Sequence, residues 1–297
     1  MQGNRVTTAL IPAAGRGTRF LPVTKVVPKE LLPIVSTPAL EYVVAEAARS
    51  GLNDVILVVN EAKRAIAEYF APHPELEAAL VAKQDDAALA AIRRPEQLAT
   101  IHEVEQFEPR GLGDAVARGE ELAAGGALAV LLPDDLIDEN DDLLERMLRV
   151  YDDHGGVVVG LMDVPREEIR RYGCVATSGV KGDVVTIEDL VEKPAPEQAP
   201  STLAIFGRYV LPPEIFAAIR DTQPGAGGEI QLTDAMLRLV RAGMPAHGVV
   251  FGGKRYDTGE PFGYVRAVVE RATRHPELGA RFAAWLRDYV SGLEREE

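Results

Sequence analysis

A loop of small residues that carries several cations is the first candidate binding site along the chain. An apolar run at residues 6–11 ends at Pro12, and Ala13-Ala14-Gly15-Arg16-Gly17-Thr18-Arg19 follows at once. Glycines let backbone N–H groups approach an anion closely, so a strand that feeds such a loop is typical of a phosphate site. Residues 1–29 contain no Asp or Glu, although acids make up 46 of the 297 residues. The cations there, which predict a local positive field for an acidic ligand, are Arg5, Arg16, Arg19, Lys25 and Lys29.

Two acids stand where another apolar run ends, in Leu131-Leu132-Pro133-Asp134-Asp135. Burying charge at a strand end is costly unless a cation shares the site, and Mg²⁺ prefers one or two carboxylates plus substrate phosphates. A helix N-cap explains the same residues equally well. Because side chains alternate along a strand, we expect Asp135 to point away from the site of Asp134.

Gln106 and the later Gly111-Leu112-Gly113 suggest a pocket for a flat ring. The Gln106 amide offers both a donor and an acceptor, which can pair with the edge of a base. On these residues alone, a loop that merely ends one element and starts a helix is the commoner explanation.

An acid beside a base, Glu192-Lys193, precedes a Pro-rich loop at residues 194–200, and Tyr172-Gly173 comes earlier. Such a pair supplies an acceptor for sugar hydroxyls and a cation for a phosphate, provided that the backbone turns both side chains inward. A solvated surface ion pair explains the same residues.

Strands that alternate with helices must position these groups. Apolar runs predict strands at residues 6–11, 55–59, 99–104, 127–132 and 157–164, and helical patterns predict helices at 38–49, 61–70, 74–89 and 113–124. The alternation indicates an α/β fold with a largely parallel sheet and helices on both faces, whose ligands bind beyond the carboxyl ends of the strands. The glycine loop and Asp134 both lie at such ends.

After about residue 165 the pattern changes to an α+β type. Shorter strands are predicted at residues 174–177, 184–190, 203–211 and 249–251, with helices at 229–241 and from 261 onward, ending in an amphipathic segment at 280–293. Since no linker interrupts the chain, we expect a single domain over residues 1–297.

Composition excludes several classes of protein. The chain has no apolar run of 18 residues and no secretory leader pattern, so we expect a soluble cytoplasmic protein with no membrane partner. The single Cys174 forms no intrachain disulfide, which suits a reducing compartment. The net charge of −14 argues against nucleic acid as a partner.

Two familiar phosphate loops do not fit the first stretch. The Walker loop requires Gly-Lys-Ser/Thr, which is missing, and the dinucleotide loop requires a third glycine where Phe20 stands. The stretch instead resembles the loop of the sugar-phosphate nucleotidyltransferases, through Gly15, Gly17, Thr18, Arg19, Pro22, Pro28, Lys29 and Glu30. Residues 224–234, with Gly-Glu-Ile-Gln-Leu-Thr-Asp, resemble the bacterial UDP-glucose pyrophosphorylases of that family, and the likeness runs from about residue 8 to 278.

The resemblance implies a Rossmann-like mixed, mostly parallel sheet flanked by helices. It places a nucleotide-binding half at about residues 1–165, a sugar-phosphate-binding α+β half at about 166–260 and C-terminal helices at about 261–297. The implied reaction joins UTP and glucose 1-phosphate into UDP-glucose and pyrophosphate, with Mg²⁺ as cofactor. The implied assembly is a homodimer or homotetramer.

The family's roles carry over to matching positions of this chain. The implied nucleotide-binding residues are Ala13, Ala14, Gly15, Gly17, Thr18, Gln106 and Gly111. Those for the sugar phosphate are Gly173, Glu192, Lys193 and Ile205, those for the metal are Asp134 and Asp257, and the catalytic cations are Arg19, Lys29 and Lys193. The chain departs from the family's usual pattern at Asp114, where His follows the Gly-Leu-Gly, and at Glu260, where Asn is common.

Three alternatives stay open at this point. A related transferase that uses dTTP, CTP or another sugar phosphate would keep all these residues. A nicotinamide enzyme is disfavoured by Phe20. A noncatalytic homologue that binds nucleotide sugar would not need Lys29, Asp134 and Lys193 together.

Overall fold

A computed structural model of the chain describes residues 6–293, so Arg5 and residues 294–297 lie outside the described part. The strands are β1 (Thr8–Pro12), β2 (Pro33–Ile34), β3 (Thr37–Pro38), β4 (Asp54–Val59), β5 (Thr100–Glu105), β6 (Leu128–Leu131), β7 (Asp135–Ile137), β8 (Val157–Asp163), β9 (Gly173–Lys181), β10 (Val184–Glu192), β11 (Leu203–Leu211), β12 (Ala246–Val250) and β13 (Arg255–Asp257). The helices are α1 (Ala39–Arg49), α2 (Ala65–Phe70), α3 (Pro74–Ala82), α4 (Asp86–Arg93), α5 (Leu112–Arg118), α6 (Leu143–His154), α7 (Glu214–Arg220), α8 (Leu232–Arg241), α9 (Pro261–Arg274) and α10 (Gly279–Leu293).

The described residues form a nine-stranded mixed sheet in the order β5-β4-β1-β6-β11-β8-β12-β10-β9. From β5 to β6 every neighbouring pair is parallel, as is β12 with β8. Strand β11 enters antiparallel between β6 and β8, and β10 pairs antiparallel with β12 and β9. The predicted α/β fold with a mixed sheet is confirmed, and three of its parallel pairs, from β5 to β6, lie in the first half of the chain.

Helices cover both faces of the sheet because the central strands are apolar on both sides. In β1, Ala9 and Ile11 face one core while Leu10 faces the other. The first core receives α1, α2, α6 and α9, and the second receives α5, α7 and α8. Continuous burial of this kind is typical of parallel strands between two helical layers.

Local chemistry moves some predicted helix boundaries. The helix predicted at 74–89 is two helices, because Gln84 adopts a left-handed conformation and the Asp85 carboxylate accepts a hydrogen bond from Ala88 N at 3.0 Å, starting α4. The helix predicted at 113–124 ends at Arg118, and the one predicted at 61–70 begins as a 3₁₀ turn before α2.

The helix predicted at 229–241 begins only at Leu232. Ile230 is held extended, because its N–H donates to Arg110 O and its carbonyl accepts from Gly113 N, both at 2.8 Å. A nonlocal ladder therefore replaces the first helical turn. Helices α6 and α7 were not predicted from the sequence. No helix among residues 6–293 is both long and apolar enough to cross a membrane.

Candidate active site

The start of the glycine loop, directly after β1, is held by hydrogen bonds to β4 and to side chains that follow β4. Ala13 N donates to Val58 O at 2.7 Å, Lys63 Nζ donates to Ala13 O at 2.7 Å and Asn60 Nδ2 donates to Ala14 O at 2.8 Å. These bonds satisfy the carbonyls of the loop's first two residues from the protein side. The start of the loop is thereby fixed without any ligand.

Glu30 supports the loop from beneath. Its carboxylate is 2% exposed and accepts from Lys63 Nζ at 2.9 and 2.7 Å. Burial lowers the pKa of Lys63 despite the attraction of Glu30. The acid of the Pro-Lys-Glu motif is thus structural, and Lys63 is a residue that sequence reasoning missed.

The rest of the loop is open. Gly17 has φ +64°, its carbonyl accepts from Thr24 Oγ1 at 2.7 Å, and a Cβ there would meet Thr24 at 3.3 Å. Gly15, Arg16, Thr18 and Arg19 are exposed, and Arg19 donates to Gly259 O at 3.3 Å. The cations of the loop therefore face solvent and any incoming anion.

A first cavity, of about 550 Å³, lies beside the loop and is called here the Gln106 cavity. Its wall includes Ala14, Arg16, Asn60 and Gln106. The Asn60 Oδ1 atom is buried and has no hydrogen-bond partner among the described residues. A buried unpaired acceptor at a cavity is a place for a ligand donor.

The side chain of Gln106 is anchored at its amino end. The residue is 5% exposed, and Nε2 donates to Asp114 Oδ2 at 2.7 Å and to Gly111 O at 3.3 Å. Gly111 has φ +105°, and a Cβ on it would lie 2.8 Å from Ile230 O. Glycine is required at 111 by this packing, so the pattern that suggested a ring pocket also has a structural cause.

The turn that carries Asp134 is held by a buried arginine. Strand β6 ends at Leu131 and β7 begins at Asp135, so the two acids do not share one strand. Arg208 is 0% exposed and its guanidinium donates to Leu132 O at 3.4 Å and Asp135 O at 2.8 Å. Its charge is balanced by Glu46, at 2.7 and 2.6 Å. Sequence reasoning missed both residues, although a charged side chain inside the apolar run of β11 was a signal.

Asp134 lies against Lys29 and Gly259. Lys29 Nζ donates to Asp134 Oδ2 at 2.5 Å, and a Cβ on Gly259 would overlap Asp134 Oδ2 and lie 3.1 Å from Asp257 Oδ1. Burial disfavours the charged Asp134, but the Lys29 ammonium outweighs it and lowers the pKa of Asp134. Burial likewise opposes the charge on Lys29, yet Asp134 and Glu30 raise its pKa. The pair is therefore ionised around neutral pH.

Asp134 and Asp257 front a second cavity of about 450 Å³, called here the Asp134 cavity. Arg19 lines it too. Residues 6–293 contain no group of three or more His, Cys, Asp or Glu that could hold a metal. Two converging carboxylates fit Mg²⁺, which takes one or two carboxylates and completes its shell with phosphates and water.

Residues of β9, β10 and β11, and Lys193 just after β10, also line the Asp134 cavity. Gly173, Glu192, Lys193 and Ile205 all line it, as predicted for one site. Lys193 has φ +45°, which breaks the alternation at the end of β10 and lets neighbouring acid and base face the same cavity. Glu192 Oε1 lies 3.1 Å from Lys193 Nζ, and Glu192 Oε2 accepts from Thr233 Oγ1 at 2.7 Å.

Two further arginines of the Asp134 cavity were missed by sequence reasoning. Arg171 lies 3.4 Å from Asp257 Oδ2, and Arg255 Nε donates to Asp135 Oδ1 at 2.5 Å. Asp135 does line this cavity, contrary to the expectation from strand alternation, but it is buried and paired with Arg255. Each of the two arginines follows another basic residue in the sequence, which was an available signal: Arg171 lies just before Tyr172, and Arg255 lies two residues before Asp257.

The predicted residues thus divide between the two cavities and the loop between them. Ala14 and Gln106 line the Gln106 cavity. The predicted residues that line the Asp134 cavity are Arg19, Asp134, Asp257, Gly173, Glu192, Lys193 and Ile205. Lys29 is held by Asp134, while Ala13, Gly15, Gly17, Thr18 and Gly111 line neither cavity. The glycine loop borders both cavities, because Arg16 lines the Gln106 cavity and Arg19 lines the Asp134 cavity.

Comparisons with known proteins identify the family of this chain. The family model of the nucleotidyl transferases matches residues 8–274. The UTP–glucose-1-phosphate uridylyltransferase YngB of Bacillus subtilis is 42% identical over 292 residues, which cover 98% of each chain.

Two solved structures have the same fold. A UTP-bound UGPase from Acinetobacter baumannii has a TM-score of 0.87 at 35% identity, covering 95% of this chain and 98% of that one. A UDP-glucose pyrophosphorylase complexed with UDP-glucose has a TM-score of 0.82 at 36% identity, covering 91% of this chain and 100% of that one. This protein belongs to the nucleotidyl transferase family and, within it, to the UTP–glucose-1-phosphate uridylyltransferases.

Proposed function

We propose that this protein transfers the uridylyl group of UTP to glucose 1-phosphate, producing UDP-glucose and pyrophosphate. The observation that carries the proposal is the Asp134 cavity, which Asp134, Asp257 and Lys193 all line. Carboxylates and a cation in one cavity suit a triphosphate held through a metal and a second phosphate held by an ammonium. The names of the relatives support the choice of UTP and glucose 1-phosphate.

The two cavities divide the substrates. The base of UTP occupies the Gln106 cavity, and its phosphates cross the glycine loop, where Gly15, Gly17, Thr18 and Arg19 are accessible. Glucose 1-phosphate occupies the other end of the Asp134 cavity, with its hydroxyls at Glu192 and its phosphate at Lys193. Gly173 keeps that end open, because a Cβ there would lie 3.3 Å from both Glu192 Oε2 and Ile205 Cδ1.

The reaction requires positioning and charge neutralisation but no protein nucleophile. A phosphate oxygen of glucose 1-phosphate forms a bond to the α-phosphorus of UTP. The bond from that phosphorus to the bridging oxygen of the β-phosphate breaks, and the electron pair leaves with pyrophosphate. Lys193 orients the attacking phosphate, while Arg19 and Lys29 balance charge on the triphosphate.

Asp134 and Asp257 would hold Mg²⁺, and both carboxylates reach the same cavity. When bound, the ion supplies compact positive charge that neutralises the phosphates during transfer. In the protein alone, the Lys29 ammonium neutralises part of the negative charge of Asp134.

Domain organisation, assembly and location complete the proposal. We infer a single domain with a nucleotide half, a sugar-phosphate half and C-terminal helices, and a homodimer or homotetramer that uses α10. The aromatic side chains of α10 support such a contact, because Trp285 and Tyr289 are each 53% exposed. The single cysteine supports a cytoplasmic location, and the charge of −14 argues against a nucleic-acid partner.

Pyrophosphate release tests the proposal. Each of UTP, dTTP, CTP and ATP is paired with glucose 1-phosphate, galactose 1-phosphate or N-acetylglucosamine 1-phosphate, with and without Mg²⁺. We expect the highest kcat/KM for UTP with glucose 1-phosphate and Mg²⁺. Faster release with another nucleotide or sugar would identify a related transferase, and no release with any pair would indicate a noncatalytic homologue.

A further inference from the structure

Asp114 occupies the position where the chain departs from the family's usual pattern, and the structure gives it a specific contact. Its Oδ2 accepts from Gln106 Nε2 at 2.7 Å, and its Oδ1 lies 3.3 Å from the guanidinium of Arg118. The Asp114 side chain is 13% exposed, so water competes little for either oxygen. The carboxylate therefore joins a base-pocket amide to the helix α5.

The two neighbours of the Gln106 amide fix which end faces the cavity. Asp114 Oδ2 and Gly111 O both lack hydrogens, so each accepts and neither donates. Turning the amide over would place Oε1 against two acceptors. Nε2 must therefore face Asp114 and Gly111, and Oε1 is left as the atom available on the cavity side.

An acceptor at this place distinguishes pyrimidines. The N3 atom of uracil carries a hydrogen and donates, whereas the N3 atom of cytosine has a lone pair and only accepts. A fixed Oε1 attracts the first and repels the second. The Oδ1 atom of Asn60, also buried at this cavity without a partner among the described residues, repeats the demand for a donor.

We propose that Asp114 is a positioning residue that makes Gln106 select uracil over cytosine, by holding the Gln106 amide with its oxygen toward the base. The inference rests on the proposed function, since it assumes that the Gln106 cavity receives the base of the nucleotide. A simpler role exists for Asp114, because an acid in the first turn of α5 also stabilises the helix dipole. The experiment must separate the two.

The decisive variant is Asp114→Asn, which keeps the shape but adds an N–H₂ group. That group can donate to Gln106 Oε1, so the turned amide faces one acceptor, Gly111 O, and no longer the closer Asp114 oxygen, and it can present Nε2 to the base. We expect the ratio of kcat/KM for UTP to that for CTP to fall by about tenfold or more, the scale of one buried polar mismatch. The KM for glucose 1-phosphate should stay within about twofold, since Asp114 does not line the Asp134 cavity.

Two further variants test whether a change in the UTP:CTP ratio comes from the orientation of the Gln106 amide. Arg118→Met removes the other partner of Asp114 but leaves both acceptors around Nε2, so the UTP:CTP ratio should stay within about twofold. Asp114→Ala frees the amide without supplying a new donor, and its ratio should fall less than in Asp114→Asn. Melting temperatures report the helix contribution separately from the ratio.

The outcomes distinguish this inference from the proposed function. A wild-type protein that releases no pyrophosphate from UTP and glucose 1-phosphate would overturn both. An active wild-type protein whose UTP:CTP ratio is unchanged in Asp114→Asn and Asp114→Ala would overturn only the role of Asp114. Equal use of UTP and CTP by the wild type would do the same.

Discussion

The glycine loop and the Asp134 turn follow adjacent parallel strands, β1 and β6, yet they are built in opposite ways. Most of the loop is exposed, and its cations Arg16 and Arg19 face solvent. The turn is clamped from inside by Arg208, which is 0% exposed. The difference indicates that the loop can adapt to a nucleotide, whereas the turn must keep a carboxylate in one place.

The comparison predicts that changes beneath the turn reduce stability, changes on the turn reduce turnover, and changes among exposed cations reduce binding. Three substitutions, each with a matched control, test these expectations.

The largest effect is expected from Arg208→Met. The substitution leaves Glu46 buried without its cation and removes two donors to the turn, so the free energy of unfolding should fall by about 3–5 kcal/mol. Urea unfolding measures the change. Arg238→Met is the matched control, because Arg238 and its partner Asp221 are more than half exposed, and a loss below about 1 kcal/mol is expected.

A double variant, Glu46→Leu with Arg208→Met, should recover part of that loss, because no unpaired charge is left in the core. If Arg208→Met cost no more than Arg238→Met, the turn would not depend on its buried clamp.

The next effect is on turnover, from Asp134→Asn. The amide keeps the size and one acceptor but removes the charge that would attract Mg²⁺, so kcat should fall at least about a hundredfold. Added Mg²⁺ should restore only part of the rate, and circular dichroism should show an unchanged fold. Steady-state kinetics across a Mg²⁺ titration provides the measurement.

Asp135→Asn is the control for Asp134→Asn. The Asp135 carboxylate is paired with Arg255, so the loss of its charge should mainly destabilise the fold. We expect kcat to stay within about tenfold of the wild type. Near-normal turnover of Asp134→Asn at low Mg²⁺, or equal defects in both variants, would contradict the assignment of the metal to Asp134.

The smallest effect is expected from Lys193→Met, and it should appear in the binding of glucose 1-phosphate. The Lys193 side chain is 46% exposed, so the fold should not depend on it. Loss of a charge-assisted contact should raise the KM for glucose 1-phosphate about ten- to a hundredfold and leave that for UTP unchanged. Lys181→Met removes an exposed lysine from the same hairpin, on β9, and should change neither constant. A raised KM for UTP instead would place Lys193 at the wrong substrate.

Local patterns made the loop and several strands predictable. The run at residues 203–211 matches β11, because its apolar side chains are buried on both faces. The position of the loop was predictable because its glycines and cations are adjacent in the sequence, directly after an apolar run. Its binding of phosphate stays a prediction. Helix α6 was also within reach, since Leu143, Leu144, Met147, Val150 and Tyr151 follow a helical period.

The remainder depended on contacts between distant residues. Glu46 and Arg208 are separated by 162 positions, and nothing near either residue names the other. Asp135 was expected to point away because β6 was drawn to residue 132, whereas it ends at Leu131 and a turn intervenes. The late start of α8 depends on Ile230 pairing with Arg110 and Gly113, which no local pattern contains.

Strand β11 has a consequence for how this protein can evolve. It lies between β6 and β8, although residues 203–211 come after both of these strands in the chain. A fragment that stopped near residue 165 would leave two strand edges without the partner that joins them. The parts of the chain before and after residue 165 therefore share one sheet and are not interchangeable modules, so exchange of either part would disrupt the sheet, whereas substitutions in side chains and loops would not.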